Sequence, residues 1–169
     1  MSFLTFSLFC SIISQHLGGM VMLGDVPIFG NFPCKVFENN RIILPSSSKA
    51  EKDDNVVFCI SDIGNDAIDI YPLSEFDKLV RKCDDVIFSS DSETVVERAK
   101  NEKRRLCGSA IYQASVDGQR RLTLNPIIFE ILGSNTAKLY GLGEMNRIKF
   151  FASVEKFSDY TGHTYIKRV

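Results

Sequence analysis

The chain repeats itself once, at an offset of 80 residues, and this duplication limits its possible folds more than any other feature. Arg41 falls on Arg121, Leu44 on Leu124, Ile68 on Ile148 and Glu75 on Glu155. Local phrases correspond as well. Arg41-Ile42-Ile43-Leu44-Pro45 matches Arg121-Leu122-Thr123-Leu124-Asn125-Pro126, with one residue inserted before the proline. Ile68-Asp69-Ile70-Tyr71 matches Ile148-Lys149-Phe150-Phe151.

Each copy reads the same way. A strand enters a polar turn, Glu38-Asn39-Asn40 in copy one and Asp117-Gly118-Gln119-Arg120 in copy two. Asn and Gly tolerate the positive φ of tight hairpin turns, so Asn40, Asp117 and Gly118 are the expected turn-forming residues. A short strand follows the arginine and stops at a proline, which cannot donate to a ladder. In copy two, Asn125-Pro126 also opens a helix that Gly133 closes. In copy one, Ser46-Ser47-Ser48-Lys49 is too polar for an equally buried helix. Two further strands are expected in each copy, over residues 56–61 and 67–71, and over 138–142 and 147–151.

Two helices separate the copies. Phe76, Leu79, Val80 and Cys83 form one apolar stripe behind Ser74, the expected cap. The second helix, over residues 92–106, has acids toward its start and bases toward its end. A unit of about 45 residues cannot bury a sufficient core alone. The expectation is therefore a β-rich α+β fold, with both units packed as one barrel-like body and short connecting helices. The expected organisation is an uncharged extension at 1–23, repeat 1 at 30–76, a helical linker at 77–109, repeat 2 at 110–154 and a C-terminal helix or tail at 155–169.

The chain has 169 residues and a formal net charge of -1, so it is no polycation. Charge is uneven, with 12 acids against 4 bases over residues 51–96 and 7 bases against 3 acids over 97–121. A nucleic-acid partner would need a local basic surface. The five cysteines lie far apart without CxxC, which argues against a disulfide framework or zinc site and for buried thiols in a reducing cytosol. Residues 1–24 hold no charged side chain, yet lack the positive start of a secretory signal and the unbroken apolar run of a spanning helix. Translation starting at Met20 or Met22 is the first expectation and a weak membrane-attracting segment the second, with no membrane partner expected for the protein. His16 and His163 lie near the termini, and no catalytic, phosphate-loop or metalloprotease motif occurs. No enzyme activity, metal, cofactor or small-molecule substrate is expected.

With these residues in place, the sequence resembles the MraZ family of bacterial transcriptional regulators. The family carries two SpoVT-AbrB-type swapped-hairpin domains, each marked by Asp-x-x-Gly-Arg, a short strand and a proline. Copy two reads Asp117-Gly118-Gln119-Arg120-Arg121-Leu122 with Pro126 behind, and Tyr71-Pro72-Leu73-Ser74-Glu75-Phe76 matches the family's linking phrase. Arg104-Arg105 and the run from Tyr140-Gly141-Leu142-Gly143 to Arg147-Ile148 are also similar. The resemblance spans roughly residues 28–160. It implies a duplicated AbrB-like barrel, a homo-oligomeric ring, and binding to double-stranded DNA repeats upstream of the division and cell-wall gene cluster. It also implies a cytoplasmic, nucleoid-associated protein. The sequence departs from the pattern at Arg120 and Asn40, which take the glycine positions, at Phe37, which takes one aspartate position, and at Asn39, where a Lys is frequent. Arg120 is expected to change the turn. Glu38 would replace the missing aspartate in a loop one residue shorter.

An arginine just after a hairpin turn projects from the hairpin edge, where guanidinium takes phosphate bidentately or reads guanine O6 and N7. Arg41 and Arg121 are the principal candidates, with Arg120 beside them and Lys35 as a secondary phosphate contact. Asp117 and Arg121, four apart across the turn, are also spaced to pair with each other. Lys103, Arg104 and Arg105 read as a solvated helix end or an interface. An oligomeric protein-interaction scaffold, or an antitoxin-like module with a decayed DNA site, is the alternative from a different class.

Overall fold

A computed structural model describes residues 28–48, 50–61, 64–133 and 137–162. The extension at 1–23, both candidate start sites and the tail beyond 162 lie outside the described residues. The elements are β1 (Ile28–Lys35), β2 (Arg41–Ile43), β3 (Asn55–Ser61), β4 (Gly64–Pro72), α1 (Leu73–Ser89), α2 (Glu93–Ser109), β5 (Ala110–Ser115), β6 (Arg121–Thr123), α3 (Pro126–Ile131), β7 (Lys138–Met145), β8 (Arg147–Phe151) and α4 (Val154–Thr161). The fold class is α+β. Six strands form an antiparallel sheet in the order β1-β7-β8-β4-β3-β5, and β2 pairs with β6 in a separate two-stranded ribbon.

The pairing is symmetric about the centre of the molecule. Exchanging β1 with β5, β3 with β7 and β4 with β8 reverses the sheet order and leaves it otherwise unchanged. The pseudo-two-fold axis runs between β4 and β8 at Asp69 opposite Lys149, and through the ribbon at Ile42 opposite Leu122. These are the residue pairs that the 80-residue offset equates.

The sheet does not close into the expected barrel. Among the described residues no pairing joins β1 to β5. Each of these edge strands instead runs directly into the ribbon, through Phe37 N–H to Arg41 O at 2.7 Å and Asp117 N–H to Arg121 O at 3.0 Å. Gly30, with φ 95, and Pro33, which has no N–H, also make β1 a poor edge for further pairing.

Alternation along the strands divides the core. The inner faces contribute Ile42, Leu44, Phe58, Ile68, Ile70, Leu122, Leu124, Ile148 and Phe150 to one cluster between sheet and ribbon. On the opposite face α1 packs Phe76 against Val57, Cys59 and Tyr71, and α4 packs Phe157 against Ala67 and Phe151. Full burial of each such side chain is worth about 1.5–3 kcal/mol, so these faces specify the strand register.

The helix starts depend on local chemistry. Asn125 Oδ1 accepts from Ile127 N–H at 3.0 Å with Pro126 behind it, so α3 opens as expected, and Gly133 follows with φ 62. The corresponding stretch of copy one is only a 3-10 turn, Ser46–Ser48. Ser74 does not cap α1. Pro72 (φ -54, ψ 139) redirects the chain, the helix begins at Leu73, and Ser74 is exposed inside its first turn. Lys103 bonds Asp84 across the helical pair at 2.6 Å, Arg105 bonds Glu102 at 2.6 Å and Arg104 bonds Asn101 at 2.6 Å. These bases therefore serve as ion-paired helix surface. No helix among the described residues is long and apolar enough to cross a membrane.

Candidate nucleic-acid interface

The ribbon gathers the principal arginines. Ile42 and Leu122 point inward and are fully buried, which turns Arg41, Ile43, Arg121 and Thr123 outward on one face. Arg41 stands opposite Thr123 and Arg121 opposite Ile43, so the two arginines are diagonal neighbours. Such diagonals lie roughly 7–8 Å apart. Arg41 is exposed and Arg121 half-buried.

The turns on which they sit end alike but differ inside, because in copy one Asn39 is left-handed too, with φ 59. Asn40 has φ 56 and Arg120 has φ 58. Leu124 N–H donates to Asn40 O at 2.8 Å, and Leu44 N–H donates to Arg120 O at 2.9 Å, extending the ribbon by one bond at each end. Arg120 thus takes the left-handed conformation at the glycine position. The loops are also equal in length, because Phe37 and Asp117 make the same bond to their arginines. Glu38 therefore does not move into the aspartate position. Gly118 is not the left-handed residue of its turn either, since positive φ falls on Arg120. A Cβ at Gly118 would meet only Lys52 Cδ at 3.9 Å, an ordinary contact.

The side chains break the symmetry. Asp117 Oδ1 accepts from Gln119 N–H at 2.8 Å and Arg121 N–H at 2.9 Å, while Oδ2 accepts from Arg121 Nε at 2.5 Å. These bonds, the Arg121 N–H foremost, hold the Asp117 carboxyl below the usual carboxylate range. Phe37 in copy one offers no such acceptor, and Arg41 makes no ion pair among the described residues. Lys35 lies off the ribbon on β1, but its Nζ sits 5.2 Å from the centre of the Phe37 ring, and Phe37 bridges to Arg41. The structure therefore places Lys35 beside Arg41, with Arg121 across the ribbon and Arg120 in the turn behind it.

Sequence reasoning missed Lys138, which stands directly opposite Lys35 in the β1–β7 ladder. Nothing local marks it, because the pairing joins residues more than a hundred positions apart. It also missed a buried charge cluster at the sheet's pseudo-dyad. Lys149, fully buried, lies 2.9 Å from Asp69 Oδ1 and donates to Ser61 Oγ. Arg147 reaches Asp69 Oδ2 at 3.1 Å, Tyr71 OH at 2.7 Å and Glu144 Oε2 at 2.7 Å. Burial opposes the Arg147 cation, but Asp69, Tyr71 and Glu144 outweigh it and raise its pKa. Burial pushes the Tyr71 phenol up to about 12.

The thiols are unreactive where they are enclosed. Burial raises Cys34, whose Sγ donates to Ile43 O beneath the ribbon, to about 12, and Cys59 to about 11. Among the described residues no group of three or more His, Cys, Asp or Glu side chains is placed to hold a metal ion. No protein-family model matches the chain, and comparison with curated proteins gives no match.

Proposed function

We propose that the chain is a MraZ-like, sequence-specific DNA-binding regulator built on two SpoVT-AbrB-type swapped hairpins. One observation carries the reading: Arg41 and Arg121, equivalent in the two copies, share the outward face of the β2–β6 ribbon. A narrow two-stranded ribbon fits the major groove, and arginines on its face reach phosphate or guanine edges. Two arginines make a weak site, and a homo-oligomeric ring would repeat it along tandem DNA sites. On this reading the protein works in the cytoplasm at the nucleoid, upstream of the division and cell-wall genes.

The test is fluorescence anisotropy of the full chain on duplex DNA from upstream of its own gene, beside scrambled DNA, at two salt concentrations. Preferential binding that weakens steeply with salt is expected. Arg41→Ala is expected to cost about 1–3 kcal/mol, and Arg121→Ala less, because Asp117 already holds Arg121. Equal binding to scrambled DNA, or none, overturns the reading.

The interaction-scaffold alternative draws on a different observation. Phe88, at the far end of α1, is 86% exposed, the most exposed of the large apolar side chains among the described residues. Pull-down of one stoichiometric protein partner without DNA, abolished by Phe88→Ser, would favour it.

A further inference from the structure

The sheet is open, and the pseudo-two-fold axis relates its two edge strands, β1 and β5. Their edges differ in chemistry. β1 is guarded against further pairing by Gly30 at φ 95, by Pro33, which has no N–H, and by the charge of Lys35. β5 reads Ala-Ile-Tyr-Gln-Ala-Ser, with no glycine, proline or charge. Its one irregularity is the register shift at Phe58 and Cys59, which leaves Ile111 without a partner in β3. From Tyr112 to Ser115 the pairing is regular.

Val116 fixes which way the backbone groups of β5 point. Its N–H donates to Asp54 O at 2.8 Å and its carbonyl accepts from Asp53 N–H at 2.9 Å, both on the β3 side. Directions alternate along an antiparallel strand, so Ala114 and Tyr112 also face β3, while Gln113 and Ser115 turn their N–H and C=O groups away from the sheet. Among the described residues no strand pairs with that side of β5. Gln113 and Ser115 are exposed, and Ile111, Tyr112 and Ala114 are half-buried. A regular, uncharged edge of this kind is a template for another strand.

The sequence of β5 suits a second copy of itself. A two-fold axis at Ala114 sets Gln113 against Ser115 of the second copy, and Ser115 against Gln113, in two hydrogen-bonded pairs. Ala114 then meets its own equivalent in a pair of the close, non-hydrogen-bonded kind, where small side chains fit. Tyr112 stands against Val116. No charge stands on any rung from Tyr112 to Val116. The other edge pairing open to two copies, β5 on β1, meets Gly30 and Pro33 instead.

We infer that β5 is a self-association edge, along which two copies of the chain pair antiparallel about a two-fold axis at Ala114. The contact closes on itself and gives a dimer, so it is not the head-to-tail contact that builds a ring. A ladder over Tyr112–Val116 alone falls below the roughly 1,200 Å² of a stable interface, so the dimer is reversible, with a Kd on the order of tens of micromolar. Nothing in this pairing rests on the DNA-binding reading.

Sedimentation equilibrium of the full chain, from well below to well above that concentration, tests it. Wild type is compared with Gln113→Lys/Ser115→Lys and Gln113→Glu/Ser115→Glu. Both positions are exposed, and unchanged circular dichroism and thermal midpoint verify the fold. Each variant opposes like charges on two rungs and is expected to weaken the dimer about tenfold. An equimolar mixture of the two opposes unlike charges and is expected to recover the wild-type Kd to within about threefold. Amide exchange by NMR reads the edge directly, and the Gln113 and Ser115 N–H groups should slow as concentration rises. A full chain that stays monomeric throughout overturns the assignment, whether those amides exchange fast, as on an open edge, or slowly, as under residues 1–27 or a foreign strand. Association that neither variant weakens also overturns it and puts the contact elsewhere on the molecule. Two weakened variants that do not recover on mixing overturn the two-fold pairing.

Discussion

Arg120 and Asp117 act on the stability of the same turn in opposite senses. Arg120 holds φ 58, a conformation that costs an L-residue about 1–2 kcal/mol and costs glycine almost nothing. Arg120→Gly is therefore expected to stabilise the protein by about 0.5–1 kcal/mol after glycine's extra unfolded-state entropy is counted, raising the thermal midpoint by roughly 1–4 °C. Calorimetry decides this, and an unchanged or lower midpoint sinks it. Asp117 acts the other way, as an acceptor whose ionised form is favoured by the fold. Its stabilising contribution is present above the unfolded value near 3.8 and is lost as pH falls through the lower folded value. In an NMR titration the Gln119 and Arg121 amides should report a midpoint below 3.8, and Asp117→Asn should abolish that step. A midpoint at or above 3.8 would mean that the carboxylate is not held as described.

Among the elements, the central pair β4–β8 combines what was legible in the sequence with what was not. Its apolar residues, the tyrosine-proline exit from β4 and the Asn125-Pro126 helix start each have a local signature, and these elements form where the pattern places them. Lys149 has no such signature. Strand alternation in Arg147-Ile148-Lys149-Phe150-Phe151 puts it opposite the inner core, where a lysine reads as solvated. It is buried because α4 covers that face, with the Tyr160 ring 5.2 Å from Nζ, and because Asp69 arrives from the other copy. Both facts are tertiary, as is the register that opposes Lys138 to Lys35. The open barrel was illegible for the same reason, since closure depends on how two edge strands meet and not on either strand's composition. The buried pair makes its own prediction. Removing one partner strips an ion pair from a buried charge, so Asp69→Asn should cost about 3–5 kcal/mol and Lys149→Met less, because Arg147 still pairs with Asp69. Asp69→Leu/Lys149→Leu should recover much of that loss, and possession of both charges would then serve to match copy one with copy two. Urea denaturation of the three variants measures it, and a double variant as unstable as the singles refutes it.

Across the whole molecule the two copies are interleaved strand by strand. Each strand of copy one pairs with a strand of copy two, β1 with β7, β2 with β6, β3 with β5 and β4 with β8, while only β3–β4 and β7–β8 pair within a copy. Neither half can unfold without stripping ladder bonds and core contacts from the other, so the described body should open as one cooperative unit. Phe58 tests this. It is fully buried in β3 of copy one, against Tyr112 of β5, and three places from β7 in the sheet. Phe58→Leu should cost about 1–1.5 kcal/mol, a roughly tenfold loss of protection for amides that exchange through global opening. Hydrogen exchange by mass spectrometry should find that loss in β7, residues 138–145, as large as in β3. If β7 kept its protection while β3 and β5 lost theirs, the ladders would be joining the copies without coupling them. The shared sheet would then be two independent halves in contact, and a ribbon built from one strand of each could not be held as a single rigid binding face.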